Sequence, residues 1–291
     1  MRASHVSAGG LLLAALLAGT MSDVAETNGP RVARELNGYH VLAADFHVHS
    51  FPSSWSTLSP WDTVIEARHQ GLDVIAMTPR NAVWVAKAGR WCSRAIGGPI
   101  VIVGSEIASG RYHLLAVGIT DAIAPSLPAA RAIDEVHRQG GVAIAAHPYK
   151  PFWPAYDADA LRALDGSEIV RPDAQQDEKR ASELQQFFGR ATLTAIGDSD
   201  YHGLGPMGYA RTYVFARNRT DQGVLDAIRE RRTVVYDRDR VYGDRAMIRM
   251  VSENGGLPHA VPELPAPGAA KLFSRIAAIL ALTIALLFNK W

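Results

Sequence analysis

The sequence predicts an α/β fold, and three observations carry that prediction. Apolar runs rich in Val and Ile alternate with helix-period segments from residue 39 to about 245. Those runs are continuously apolar, the pattern of strands buried on both faces as in a parallel sheet. Nearly every histidine or acid suited to binding a metal falls at a strand boundary. In a barrel of parallel strands the carboxyl ends converge on one face, so such residues become neighbours there.

The first strand ends in "AADFHVHS" (43–50), where His47 and His49 stand two apart and project from the same face. Side by side they can share a metal ion. The helix "LSPWDTVIEARHQG" (58–71) follows, with Ser59 as N-cap, Pro60 at its first position and Gly71 as its stop. Next come the strands "LDVIAMT" (72–78), "PIVIVGSEI" (99–107) and "HLLAVG" (113–118), the helix "LPAARAIDEVHRQGG" (127–141) and the strand "VAIAAHP" (142–148). The helix "DADALRAL" (157–164), the strand "GSEIV" (166–170) and the helix "AQQDEKRASELQQFFG" (174–189) continue the alternation. The strands "ATLTAIGDSD" (191–200) and "YARTYVFA" (209–216) and the helix "TDQGVLDAIRER" (220–231) complete it.

Composition narrows the function. The 291 residues hold 30 basic and 29 acidic side chains, so no electrostatic pull toward nucleic acid is expected and no stable nucleic-acid partner is implied. The single cysteine, Cys92, rules out an internal disulfide and a thiolate metal cluster, and no disulfide-linked partner is expected. The Gly-rich fingerprints of nucleotide binding and the G-x-S-x-G elbow of serine hydrolases are missing.

The two ends shift in composition. "SAGGLLLAALLAGTM" (7–21), after Arg2, has the form of a secretory signal, so residues 1–21 read as a signal peptide or uncleaved signal anchor. From Ile276 to Phe288 no charge occurs, and residues 271–290 read as a helix long enough for a bilayer core, with Arg275 and Lys290 snorkelling outward. The Pro/Gly-rich stretch 253–270 before it reads as a linker. The expectation is an exported domain, residues 39–250, anchored to a membrane and facing the periplasmic side.

The candidate ligands are His47, His49, Glu106, His113, His147, Asp200 and His202. Imidazoles with a carboxylate able to bridge have the make-up of a multinuclear site. Two buried histidines together, or a buried glutamate after an apolar run, are costly without a partner, which favours a metal. Asp198 and Asp200 alternate around Ser199, so only one is expected to face the site, and the Asp-x-His spacing selects Asp200. His69 and His137 lie within amphipathic helices and read as structural; His5, His40 and His259 receive no role.

In order, "DFHVHS", "GLDVIAMT", "GSEI", "HLLAVG", "AAHP" and "GDSDYH" resemble the polymerase and histidinol phosphatase (PHP) family over roughly residues 42 to 245. The resemblance implies a distorted seven-stranded (β/α) barrel, here with terminal hydrophobic helices, and phosphoester hydrolysis assisted by manganese, zinc or iron. It also implies that His47, His49, Glu106 and Asp200 hold one metal, with Glu106 bridging to a second held by His113 and His147. Two positions depart from the family pattern. Pro79 and Arg80 stand where the family has Asp and His, and Trp55 where it often has a further histidine. Both losses fall on the third metal site and leave His202 without its usual co-ligands, so two divalent metal ions are expected.

The function expected is a metal-dependent phosphoesterase acting on a monoester or diester through a hydroxide activated by the dinuclear site. Asp200 or His202 would relay a proton to the leaving group. The Arg80 guanidinium is a candidate phosphate ligand in the place of the third metal, and Tyr149, Lys150 and Tyr201 are candidate substrate contacts. The alternatives are hydrolysis of a C–N or C–O bond, and a noncatalytic membrane-tethered metal- or ligand-binding module.

Overall fold

In the computed structural model, which describes residues 10, 11, 14, 34–203, 205, 207–257 and 268–288, eleven strands form one sheet. They are β1 (Arg34–Leu36), β2 (Tyr39–Val48), β3 (Val74–Met77), β4 (Ile100–Ala108), β5 (His113–Val117), β6 (Val142–Ala145), β7 (Gly166–Val170), β8 (Thr194–Gly197), β9 (Thr212–Ala216), β10 (Thr233–Asp237) and β11 (Arg240–Gly243). The order is β11-β10-β9-β2-β3-β4-β5-β6-β7-β8, with β1 paired to β2. The helices are α1 (Pro60–His69), α2 (Trp84–Ile96), α3 (Ala129–Arg138), α4 (Ala158–Ala163), α5 (Pro172–Gln175), α6 (Glu178–Phe188), α7 (Asp221–Arg229), α8 (Arg245–Glu253) and α9 (Ala269–Phe288).

The sheet curls into a nearly closed barrel. Tyr201 N donates to His47 O (3.0 Å) and His49 N to Tyr201 O (2.9 Å), so the segment after β8 returns to the end of β2. On the same seam, Gly197 N donates to Thr212 Oγ1 (2.9 Å) and Thr233 Oγ1 to Ala195 O (2.9 Å). A Cβ at Gly197 would lie 2.7 Å from Ala210 O, so a glycine is needed where the chain passes this closely. Leu42, Ala44, Phe46, Ile102, Leu115, Ile144, Ile196 and Val214 fill the interior, and Val224, Leu225 and Ile228 of α7 pack among them. Separate outer cores lie under α1, α2 and α8 and under α3, α4 and α6.

The barrel agrees with expectation, but the sheet is mixed rather than parallel. The pairs β2–β3, β3–β4, β6–β7 and β7–β8 are parallel, whereas β4–β5, β5–β6, β2–β9, β9–β10 and β10–β11 are antiparallel. Between Ala108 and His113 the chain is too short for a helical crossover, so β5 turns back beside β4. Helix α2 is absent from the sequence-based pattern because its outward face carries Trp84 and Trp91, both exposed, which blurs the apolar stripe of Val85, Ala86, Gly89 and Cys92. The single helix expected over 174–189 breaks at Asp177, whose side chain caps α6 by accepting from Lys179 N and Arg180 N.

Helix α1 follows its signals: Ser59 accepts from Asp62 N and Pro60 opens the helix. Ser59→Ala is expected to cost about 1 kcal/mol in urea-denaturation stability, because its hydroxyl also donates to buried Asp62 Oδ2 at 2.6 Å.

The C-terminal reading requires correction. Among the described residues no helix is long and apolar enough to cross a membrane. Helix α9 begins by docking on α1: Ser274 Oγ donates to Asp62 Oδ1 (2.7 Å), while Arg275 Nη2 (2.6 Å) and Lys271 Nζ (3.5 Å) meet Glu66 Oε2. Arg275 therefore pairs with a protein carboxylate instead of snorkelling. Leu272, Phe273, Ile276 and Leu280 are left about half exposed. The signal segment, apart from residues 10, 11 and 14, and most of the linker lie outside the described residues.

Candidate metal centre

An irregularity in β2 delivers the first two imidazoles. Pairing with β3 shifts between Asp45 and Val48, and Asp45 Oδ1 accepts from His47 N (3.2 Å). Phe46 thus faces the barrel interior and Val48 the outer core, although simple alternation would put them on one face. His47 and His49 are fully buried, with their Nε2 atoms 3.0 Å apart.

The other strand ends converge on this pair. Asp200 Oδ1 lies 3.2 Å from His47 Nε2 and 3.1 Å from His49 Nε2. Glu106, inward on β4, places Oε1 2.7 Å from His113 Nδ1, 3.2 Å from His147 Nε2 and 3.8 Å from His47 Nε2, and Oε2 3.5 Å from His49 Nε2. The His202 ring centre is 4.1 Å from that of His49, and its Nδ1 is 2.8 Å from the Asp200 carbonyl oxygen. His147 and Asp200 have positive φ (29° and 48°), left-handed backbone held by the surrounding contacts.

The donor set fits a cation. His47 Nδ1 meets Glu168 Oε1 at 2.7 Å and His49 Nδ1 meets Ser54 Oγ at 3.0 Å. With Nδ1–H donated to these partners, both Nε2 lone pairs point at one another and at Asp200 Oδ1, which is buried and among the described residues has no hydrogen-bond donor of its own. Three acceptors facing one point call for positive charge. His47, Glu106 and His147 form a second group of the same kind.

The electrostatics agree. Burial alone would push the His47 imidazole down, yet the Asp200, Glu168 and Glu106 carboxylates hold it well above its ordinary value. Burial lowers His49 to about 4 despite its contact with Asp200. Against the opposing effect of burial, bonds from His113, His147 and His47 hold Glu106 well below the usual carboxylate range, and His47, His49 and Arg171 do the same for Asp200. Without a metal, a proton on His47 supplies the charge that the carboxylates demand.

The remaining candidates divide. Arg80 reaches the site, with Nε donating to Glu106 Oε2 at 3.0 Å and a side chain 39% exposed. Trp55 is 91% exposed to solvent. Tyr149 turns its hydroxyl to Asp173 Oδ2 (2.7 Å) while its ring stacks beside His147 with centroids 6.3 Å apart, and the Lys150 ammonium lies over the Trp153 ring. Tyr201 is corrected as a substrate contact: its side chain is buried in the outer core and only its backbone serves the seam.

Sequence reasoning missed Glu168 and Arg171, and it set Asp198 aside in favour of Asp200. Glu168, inside the apolar strand "GSEIV", orients His47 through Oε1 and accepts from His147 N through Oε2 (2.6 Å). A buried acid in an apolar strand was its signal. Asp198 is not turned away from the site: it is fully buried beside His47 and Glu168, with burial and the Glu168 charge pushing its carboxyl well above the usual range.

Residues 183–233 match a family model described as PHP-associated. Over 144 residues the chain is 30% identical to the uncharacterized protein MJ1587 of Methanocaldococcus jannaschii, covering 44% of this chain and 81% of that protein. Its structure is similar to that of a two-domain protein of Bacteroides vulgatus containing a predicted PHP-like metal-dependent phosphoesterase, with TM-score 0.55, 24% identity, and coverage of 77% of this chain and 74% of that one.

Proposed function

The chain belongs to the PHP family, and on that premise we propose that it is a metal-dependent hydrolase whose substrate is a phosphomonoester or phosphodiester. The observation that carries the reading is the convergence of His47 Nε2, His49 Nε2 and Asp200 Oδ1 on one point, beside a Glu106 carboxylate shared by His113 and His147. In this reading the first three residues hold one divalent cation, and Glu106, His113 and His147 hold a second. Bound there, the cations supply Lewis acidity toward water and the phosphoryl oxygens.

The chain's own groups complete the chemistry. Arg80 holds Glu106 through Nε, and among the described residues its two Nη groups have no hydrogen-bond partner, so they can bind a phosphoryl oxygen at the partly open mouth. His202 donates through Nδ1 to the Asp200 carbonyl, so in its imidazolium form the second proton, on Nε2, is the one that can pass to the departing alkoxide, leaving the neutral Nδ1–H ring. Phe152, stacked on His113 at 5.1 Å, forms an apolar wall beside the ligands. A guanidinium beside several cation ligands favours a phosphoryl centre over carbon, because the phosphoryl group carries more negative charge to be matched.

The test is hydrolysis of p-nitrophenyl phosphate and bis(p-nitrophenyl) phosphate by the full chain loaded with manganese or zinc. Turnover of either supports the reading; a folded, metal-loaded chain that cleaves neither overturns it. Arg80→Ala is expected to lower kcat/KM roughly 10- to 100-fold, the equivalent of one charge-assisted hydrogen bond of about 1.5–3 kcal/mol. Unchanged kinetics would remove Arg80 from phosphate binding. The charge-free run in residues 7–21 supports export, which fractionation of cells expressing the full chain tests: recovery with the cytosol overturns it.

A further inference from the structure

We infer that Arg171 is the positioning residue of the metal centre: its buried guanidinium grips one oxygen of Glu168 and one of Asp200, and so aims the other oxygen of each at the imidazole pair. The inference rests on the metal-dependent reading above.

Arg171 Nη1 donates to Glu168 Oε2 (2.7 Å) and Nη2 to Asp200 Oδ2 (3.0 Å). The remaining oxygens are those that face the imidazoles: Glu168 Oε1 on His47 Nδ1 at 2.7 Å, and Asp200 Oδ1 on both Nε2 atoms. Each carboxylate is thus divided between guanidinium and imidazole. One planar fork sets how far apart, and at what angle, a ligand-orienting acid and a candidate ligand acid are held. Asp198 Oδ1, 3.9 Å from Nη1, adds a further acid to the same cation.

The fork is itself fixed. Arg171 is 5% exposed and stands just before Pro172, which opens α5. Its Nε donates to Asp173 Oδ1 (3.0 Å), and Asp173 Oδ2 accepts from Tyr149 OH (2.7 Å) and Arg180 Nη1 (2.9 Å). The Tyr149 hydroxyl therefore belongs to this outer ring. Lysine offers a single point of charge and cannot meet Glu168, Asp200 and Asp173 together in one plane.

The test is calorimetric titration of the chelator-treated full chain with manganese chloride, and separately with zinc chloride. Wild type is compared with Arg171→Lys and with the double variant Arg171→Gln/Asp198→Asn, which removes a buried positive and a buried negative charge together. Binding 10- to 100-fold weaker in the variants is expected, the usual effect of removing an outer partner of metal ligands, with the unfolding temperature of the metal-free R171K chain close to wild type. Wild-type affinity in either folded variant overturns the inference. Failure of both variants to fold assigns Arg171 to general stability and also overturns it. A wild-type chain that takes up neither metal overturns the metal-dependent reading itself, and the inference with it.

Discussion

Replacing His47 by alanine is expected to lower phosphoester turnover by about 10³-fold or more, since metal assistance supplies several kcal/mol of the barrier reduction, and to lower bound metal in the same protein. Among the described residues His47 is common to the converging donor groups His47–His49–Asp200, His47–Glu106–His147 and His47–Glu168–Asp198, so its loss opens each of them. It also strands Glu168 Oε1, whose partner at 2.7 Å is the deleted Nδ1, inside a fully buried pocket. Metal content by elemental analysis and turnover with both aryl phosphates check the prediction. A His137→Ala control is expected to leave both unchanged, because His137 sits on α3 paired with Asp165 at 2.8 Å, outside the centre. Full activity in the His47 variant would remove the metal centre from the mechanism.

Replacing Phe46 by alanine is expected to destabilise the chain by roughly 3–5 kcal/mol, a large share of the 5–15 kcal/mol that typically separates folded from unfolded protein. Phe46 is fully buried among Leu42, Ala44, Ile102, Leu115, Ile144 and Ile196, where strands from all round the barrel meet. Those neighbours belong to paired strands and cannot all close on the void. It also lies within the register shift that turns His47 inward, so the variant is expected to lose metal affinity even where it remains folded. Urea denaturation measures the first effect and metal titration the second; a loss below about 1 kcal/mol would mean that the barrel collapses around the deleted ring.

The correspondence between sequence and structure is uneven, and each gap has a physical cause. His47 and His49 were legible because a two-residue spacing at a strand end has one geometric meaning. Glu106, His113, His147 and Asp200 were legible because a charge or imidazole beside an apolar run stands out against its surroundings. The antiparallel returns of β5, β6 and β9 were not, since a continuous apolar run says that a strand is buried and not which way it runs. Glu168 was hidden in the middle of such a run and Arg171 among the charges of a turn, where an exposed residue is the usual outcome, while Asp198 was set aside because alternation lets only one of Asp198 and Asp200 face the site. The C-terminal run reads for a membrane because a stretch without charge is common to lipid-facing and protein-facing helices, yet among the described residues no helix is long and apolar enough to cross one. Lys271, Ser274 and Arg275 at its start bond Asp62 and Glu66, more than two hundred residues earlier in the chain.

By itself the sequence determined the α/β class, the strand ends and most of the inventory of donor side chains, because these follow from local periodicity and from the cost of leaving a polar group in an apolar run. Only the tertiary structure decided the strand directions, the division of Glu168 and Asp200 between a guanidinium and two imidazoles, and the docking of α9 on α1. Each of these depends on which distant residues share one desolvated volume, where a charge is stable only with its partner, and no local pattern records that partner.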